Sequence, residues 1–374
     1  MKKRFYLLYI VLAAFIMAAC SNTASSSQED KEKQPDPGQK AEETKKDEKD
    51  MPGEKNKEDT RTPPPYQALK PSNEATPLKE KLSDKELKNM PTAEAYGGDS
   101  KRSVPPGQTL VNGGKDESEG PLKNNRIVAY YGHPNSTKMG ILGEMEPGDF
   151  MKKLKEQTQA YSDADPSRPA IPTIELITTV AQREPGPEGK YFRMTPEADI
   201  DEYVKLAREH NALILLDIQL GKDSVMNQVK LIEKWLKLPH VHLAIDTEFH
   251  VGEGEVPGED LGQVDGAEVQ KAVNYLSNII EENNLPDKFV LVHQFTDHVL
   301  TNKEAIQPAG NVEVVLNNDG WGAATDKQVL YRKFVRNETS QYGGFKIFYK
   351  KDEPVLEPLD VVKLDPSPAV VNYQ

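Results

Sequence analysis

The sequence predicts an α/β fold, a (β/α)8 barrel of the TIM type, preceded by a signal peptide and a long disordered tether. Two observations predict the barrel: eight apolar, β-branched runs recur between Asn125 and Gln374, and segments with helical periodicity separate them. Eight strands that alternate with helices over about 250 residues are typical of this fold. A doubly wound sheet fits less well, because Gly132-His133-Pro134 after the first run is not a glycine-rich dinucleotide fingerprint.

The amino-terminal segment has the pattern of a secretory signal peptide. Three basic residues, Lys2 to Arg4, precede the apolar run Phe5 to Met17. As a helix this run is about 20 Å long, too short for a hydrocarbon core of roughly 30 Å. It leads into Met17-Ala18-Ala19-Cys20, which resembles the bacterial lipoprotein signal, whose cysteine receives a diacylglycerol. We therefore expect removal of residues 1–19 and attachment of Cys20 to the lipid bilayer, on the outer face of the cytoplasmic membrane.

Residues 20–120 are predicted to be a disordered, charged and proline-rich tether. Half of the residues from Ser21 to Thr60 are charged and none is aromatic, so this stretch cannot bury enough apolar surface to offset its ordering entropy. Within the tether, Leu78 to Met90 has the apolar spacing of a short helix that would dock on the folded domain. The barrel domain is accordingly expected at residues 121–374.

The elements of this domain follow one another along the chain. The predicted strands are Arg126–Tyr131, Ala170–Ile177, Ala212–Gln219, His242–Glu248, Phe289–Gln294, Val312–Asn317, Gly344–Tyr349 and Ala369–Tyr373. The predicted helices are Pro147–Ser162, Pro196–His210, Ser224–Leu236, Gly266–Asn284, Asn302–Ile306, Asp326–Arg336 and Pro358–Leu364.

Composition and missing motifs exclude several classes of protein. The net charge of −13 argues against non-specific nucleic-acid binding, which needs clustered Lys and Arg. The single cysteine excludes an intramolecular disulfide and a cysteine-rich metal site. The sequence contains neither a Gly-x-Ser-x-Gly elbow nor a phosphate-binding Gly-x-x-x-x-Gly-Lys loop, and no cofactor is expected.

Polar residues fall where the predicted strands end, and barrels of this type carry their functional groups at those ends. In the run from His242 to Phe249, apolar Leu243 and Ile245 alternate with Ala244 and Asp246, so the polar series should face the barrel mouth. We predict a pocket for a polysaccharide there. Its predicted substrate-binding residues are Tyr131, His133, Glu175, Gln219, His293, Asp319, Trp321, Lys346 and Tyr349.

Three carboxylates are the predicted catalytic groups. Asp246 and Glu248 are alternate residues of one predicted strand, roughly 6.5–7 Å apart at Cα, and Asp217 lies on the neighbouring strand. Paired carboxylates suit glycosidic cleavage. Glu248 would be the general acid, and either Asp217 or Asp246 the nucleophile or base. The alternative is a structural network in which Lys346 or His293 neutralises these groups.

Metal binding is the competing chemistry at this site. His242, Asp246, Glu248, His250 and His293 are suitable ligand types. None of them has the His-Glu-x-x-His spacing of a helical site, and His242 lies too deep in the barrel to share an ion with His250. The sequence therefore predicts no metal.

Several segments resemble a little-characterised family of bacterial extracellular lipoproteins and secreted proteins. They are Arg126 to His133, Met139 to Glu144, Asp246 to Phe249, Val256 to Gly258, Val292 to Phe295 and Gly344 to Lys350. The resemblance implies a glycoside-hydrolase-like TIM barrel over residues 125–374 and no particular activity. Asp246-Thr-Glu248 is also similar to the end of the chitinase signature, from which Val241 and Ala244 depart.

Two functions remain open from the sequence. One is a membrane-anchored lipoprotein that binds and hydrolyses a cell-envelope or environmental polysaccharide. The other is a non-catalytic lipoprotein that uses its barrel rim as a binding or scaffold surface.

Overall fold

The computed structural model describes residues 66–84, 116–335 and 342–374. Eight parallel strands pair in sequence order, and the last pairs with the first, so the sheet closes into a barrel. This confirms the predicted fold. The strands are β1 (Arg126–Gly132), β2 (Ala170–Ala181), β3 (Leu213–Ile218), β4 (Val241–Asp246), β5 (Lys288–Gln294), β6 (Val312–Asn318), β7 (Tyr342–Ile347) and β8 (Val370–Tyr373).

Helices connect the strands on the outside of the barrel. They are α1 (Pro147–Ala164), α2 (Glu197–Glu209), α3 (Val225–Leu231), α4 (Glu233–Leu236), α5 (Gly266–Asn283), α6 (Ala324–Val335) and α7 (Pro358–Val362). Local chemistry fixes several ends: Ser224 and Asp265 accept backbone N–H bonds at the starts of α3 and α5, and Pro147 occupies the first turn of α1. None of the helices in the described residues is both long and apolar enough to cross a bilayer.

Three further short strands and four 3-10 turns lie between these elements. The short strands are Phe192–Met194, Val264–Asp265 and Leu300–Thr301, and the turns are Leu78–Lys81, Ile141–Glu144, Thr247–Phe249 and Lys303–Ala305. Phe192–Met194 pairs antiparallel with the end of β2 and extends that strand into a hairpin above the barrel.

The alternation of side chains along each strand divides the apolar residues between two cores. On β4, Leu243 and Ile245 pack in the layer between the barrel and the helices, whereas Ala244 packs inside the barrel. Leu215 and Leu291 fill the interior beside it. The predicted orientation of this strand is therefore confirmed, and its polar series points into the barrel.

The amino-terminal end of the barrel is closed by a segment that was predicted to be tether. Tyr66 and Ala68 pack on the interior cluster, Leu69 N–H donates to Ala170 O at 2.8 Å, and Leu78 is only 8% exposed. The docking of Leu78 agrees with the docked segment predicted within the tether, whereas the ordered positions of residues 66–70 and 116–120 were not predicted. The reason is physical: a few apolar side chains suffice to dock a segment whose average composition is charged and polar.

Leu122 continues this closure, because its backbone N–H donates to the buried Glu313 carboxylate at 3.1 Å. Of the predicted docking helix, Leu78–Lys81 is a 3-10 turn, and residues 85–90 lie outside the described residues. The predicted signal peptide 1–19, the lipidation site Cys20 and the charged stretch from Ser21 to Thr60 also lie outside them.

Several predicted elements differ from the structure at their ends, among them β2, which continues to Ala181. β4 ends at Asp246, and Thr247–Phe249 turns into a 3-10 helix, so Glu248 is not on the strand. The predicted helix Ser224–Leu236 is two helices that join at Ile232, and the predicted helix Asn302–Ile306 is only the turn Lys303–Ala305. Each difference concerns where an element ends, which tertiary contacts decide and local periodicity does not.

Candidate functional site

The carboxyl ends of the strands bring a layer of polar side chains together inside the barrel mouth. Register places Asp246 of β4 beside His293 of β5, and His293 beside Asn317 of β6. Asp217 of β3 pairs with Ala244, so it lies one inward-facing position deeper than Asp246. Parallel strands with inward-facing residues in register thus build the site in two levels.

Beside Asp246 lies an ionic network centred on His293. Its Nε2 lies 2.9 Å from Glu175 Oε1, and its Nδ1 lies 3.1 Å from Asp319 Oδ2. Asn372 Nδ2 donates to the other Glu175 oxygen at 2.8 Å. Burial lowers the pKa of His293, but the Asp319 charge and the hydrogen bonds to Asp319 and Glu175 outweigh it and raise that pKa well above its ordinary value.

Lys346 completes this network from β7. Its Nζ lies 2.9 Å from Asp319 Oδ1 and 3.8 Å from the centroid of the Tyr131 ring. Burial raises the pKa of Asp319, but the Lys346 and His293 charges outweigh it and leave that pKa below its ordinary value. Two cations, His293 and Lys346, therefore balance two anions, Asp319 and Glu175, beneath the mouth.

Three other carboxyl groups of the site, those of Asp217, Asp246 and Glu248, are not among the ion pairs of this network. Burial, with smaller contributions from neighbouring charges, raises the pKa of Asp217 to about 7 and that of Asp246 well above its ordinary value. Burial and the Asp319 charge raise the pKa of Glu248 to about 7. Among the described residues, both Asp217 oxygens and Asp246 Oδ1 lack a hydrogen-bond partner. Each of these groups therefore keeps its proton to a higher pH than an ordinary carboxyl group does.

An open cavity of about 270 Å³ lies above the network. Asp246 and Glu248 line it together, and Gln219 lies between Asp246 and Tyr131, with its Nε2 3.2 Å from the Tyr131 hydroxyl. Apolar and aromatic walls surround the carboxylates; they are formed by Met139, Ile177, Phe249, Phe295, Trp321 and Phe348. The Trp321 side chain is 63% exposed, an unusual state for so large an apolar group and a typical one for a binding surface.

The structure brings most of the predicted site residues to this cavity. Those that line it are Tyr131, Gln219, Asp246, Glu248, Asp319, Trp321 and Lys346. Glu175 and His293 lie directly beneath, where they hold Asp319 and Asn372 in place. Asp217 is fully buried and does not line the cavity, so it cannot reach a ligand there.

Two predicted residues lie elsewhere. His133 lines a neighbouring cavity, where its Nε2 lies 3.0 Å from Thr195 Oγ1. Tyr349 stacks on Tyr373 with ring centroids 5.0 Å apart, outside the mouth. Both residues follow the end of a strand, in turns where the inward alternation no longer applies.

Sequence reasoning missed Asn372, Phe348 and Met139. Asn372 was detectable as an amide within the β-branched run of β8, since a buried amide needs partners. Phe348 and Met139 had no local signal, because they reach the cavity only through the course of their loops.

The residues that could hold a metal ion are Asp246, Glu248 and Asp319, which offer oxygens within 4.8 Å of one another. The fit is poor, because Lys346 and His293 already engage both Asp319 oxygens. Two of the histidines predicted as suitable ligand types are engaged elsewhere: His242 stacks on Phe289, and His250 Nδ1 bonds Gln263 O at 2.6 Å.

Fold and site together define a TIM barrel with an open, carboxylate-bearing and aromatic-walled mouth above a neutralised ionic network. No protein-family model matches the sequence, and no curated protein matches it significantly.

Proposed function

We propose that this protein is a lipid-anchored extracellular glycoside hydrolase that binds a polysaccharide at the barrel mouth and cleaves it there. The observation that carries the proposal is the pair Asp246 and Glu248, both on the wall of one open cavity beside the exposed ring of Trp321. Aromatic faces bind the apolar faces of sugar rings, and paired carboxyl groups cleave the bond between rings.

Glu248 serves as the general acid. Its pKa of about 7 keeps a large fraction of this carboxyl protonated at neutral pH, which a donor to the leaving oxygen requires. Burial is the largest cause of the raised pKa of Asp246, and the negative charge of Glu248 adds to it, so protonation of Glu248 favours ionisation of Asp246. The pair therefore shares a proton, and Asp246 acts as the ionised partner.

The spacing of the pair favours a retaining mechanism. Oxygens of Asp246 and Glu248 lie within 4.8 Å. So close an approach of two oxygens is compatible with the separation of about 5–5.5 Å between the carboxyl groups of retaining enzymes. Asp246 is then the nucleophile that forms the glycosyl-enzyme, which water hydrolyses with Glu248 as base.

The remaining residues of the mouth position the sugar. Trp321 and Phe295 offer ring faces, while Lys346 and Gln219 present donors toward sugar hydroxyls. The network under the mouth fixes Lys346, because Asp319 accepts from it while bound to His293. A cavity of about 270 Å³ accepts one ring-sized unit, and the rest of the polymer extends over the rim.

The anchor is proposed from the sequence. Cys20 follows small residues after a basic and apolar segment, and a diacyl chain pair there gives stable membrane attachment. The resemblance to bacterial extracellular lipoproteins agrees with this location and with a barrel of the glycoside-hydrolase kind.

The test is a screen of the full-length protein against a polysaccharide panel, with reducing ends and product anomers measured. We expect one polymer to be cleaved with retention of configuration. Binding to a polymer without any release of reducing ends would contradict the hydrolytic role and leave the non-catalytic binding surface. Cleavage with inversion would contradict the assignment of Asp246 as nucleophile.

A further inference from the structure

A second cavity adjoins the barrel mouth. It has a volume of about 570 Å³ and lies against the hairpin formed by the end of β2 and the short strand Phe192–Met194. Met139 lines both this cavity and the mouth, so the two cavities are neighbours. A linear polymer held beside Glu248 would reach the second cavity if its chain passed Met139, a path that the Met139→Trp experiment below tests.

The second cavity carries one positive charge. Arg193 pairs with Val180 across the hairpin, and both side chains line the cavity. The other cavity-lining residues are uncharged or histidine: they are His133, Asn135, Ser136, Met139, Gln182, Met194, Thr195 and Pro196. Arg193 is exposed and has no carboxylate ion partner among the described residues.

His133 adds no second charge to this cavity. Burial and the nearby Arg193 charge lower the pKa of His133. Its ring is held in a neutral form, because Nδ1 accepts from Asn135 N–H at 3.1 Å. Nε2 then donates to Thr195 Oγ1, whose hydroxyl donates to Ile177 O at 2.8 Å. The rigid polar wall thus leaves Arg193 as the group that can pair with an anion.

We infer that the second cavity is a sugar subsite that selects a carboxylated residue, so that the substrate is a polysaccharide containing uronic acid. A guanidinium binds a carboxylate through two parallel N–H bonds, and one positive charge matches the single negative charge of a uronic acid. A neutral polymer would leave Arg193 unpaired. This inference rests on the proposed carbohydrate function and specifies its substrate class.

The test compares Arg193→Gln with the wild type in the full-length protein. Arg183→Gln is the matched control, because Arg183 belongs to the same hairpin, is 67% exposed and pairs with Glu259 away from the cavity. The probes are polygalacturonate and hyaluronan oligomers and the same oligomers after chemical reduction of their carboxyl groups. Dissociation constants are measured by calorimetry.

We expect wild type and Arg183→Gln to bind at least one carboxylated oligomer, and Arg193→Gln to bind it about tenfold or more weakly. Reduction of the carboxyl groups should abolish the difference between the variants. Equal affinity of the wild type for charged and reduced oligomers would overturn the subsite while leaving carbohydrate binding intact. If the wild type binds only neutral sugars of the polysaccharide panel described above, the carboxylate subsite is refuted and the proposed carbohydrate function stands. If it binds no sugar at all, both the subsite and the carbohydrate function are refuted.

Continuity of the two cavities has its own test. Met139→Trp places a large ring at the residue that lines both, while the backbone bond from His133 N–H to Met139 O is kept. Long carboxylated oligomers should lose affinity by a larger factor than a monomeric sugar that occupies the mouth alone. An unchanged affinity for long oligomers would show that the chain does not pass this point.

Discussion

Replacement of Asp217 by Asn tests whether this carboxyl group acts on the stability of the fold and takes no part in the reaction. Asp217 is fully buried, neither of its oxygens has a hydrogen-bond partner among the described residues, and burial raises its pKa from 3.8 to about 7. In the folded chain this group keeps its proton up to about pH 7, whereas the unfolded chain loses it near pH 4. Folding therefore takes up a proton between these values.

The sign and size of the effect follow from that difference. Stability that depends on the protonated Asp217 is fully present below about pH 4 and is lost as the pH rises through about 7. A rise in pKa from 3.8 to about 7 corresponds to about 4 kcal/mol. The amide of the variant would mimic the protonated carboxyl at every pH, so Asp217→Asn should equal the wild type near pH 4 and exceed its unfolding free energy by about 4 kcal/mol at pH 8.

The assay is urea unfolding of both proteins at pH 4 and pH 8, followed by tryptophan fluorescence, since Trp235 is buried. Glu253→Gln is the control, because Glu253 is an exposed loop residue whose substitution should change the unfolding free energy by no more than about 0.5 kcal/mol. Sugar binding by Asp217→Asn should persist, as Asp217 does not line the cavity. A stability difference that does not change with pH, or a wild type that is more stable at pH 8, would refute the reasoning.

Three further predictions concern the anchor, the sugar platform and the docked amino-terminal segment. Cys20→Ser should move the protein from the membrane fraction to the soluble fraction, and continued membrane retention would contradict thioether anchoring. Trp321→Ala should weaken polysaccharide binding by about 1 kcal/mol with little change in melting temperature, since the ring is exposed; unchanged affinity in calorimetry would count against stacking. Leu78→Ala should lower the unfolding free energy by about 2 kcal/mol because Leu78 is buried on the barrel, and denaturant unfolding that matched the wild type would show that this segment does not contribute.

The interior of the barrel was accessible to sequence reasoning because strand periodicity is local information. The alternation of Leu243 and Ile245 with Ala244 and Asp246 correctly predicted which face of β4 turns inward. The same alternation failed for Glu248, which reaches the mouth from a 3-10 turn instead of a strand. Strand ends depend on what packs beyond them, and the sequence pattern contains no such information.

Long-range partners could not be read from the sequence either. Glu175 bonds Asn372, 197 residues away, and this contact exists only because the closed barrel places β8 next to β1 and near β2. The apolar spacing that begins at Leu78 predicted a docked segment there, whereas average composition gave no sign that Tyr66 and Ala68 also pack on the barrel. Such errors concern tertiary context, whereas the predicted fold class needed only periodicity.

The most direct test of the central claim measures how Glu248→Gln affects two substrates with different leaving groups. On the polysaccharide, whose leaving oxygen needs a proton, turnover should fall about 10²–10⁴-fold. An aryl glycoside of the same sugar, with an acidic phenol as leaving group, can be cleaved without protonation of the leaving oxygen. The rate at which this substrate forms the glycosyl-enzyme should therefore stay near the wild-type value. An equal loss on both substrates, or unchanged turnover of the polysaccharide, would contradict the assignment of Glu248 as the general acid of a barrel-mouth hydrolase.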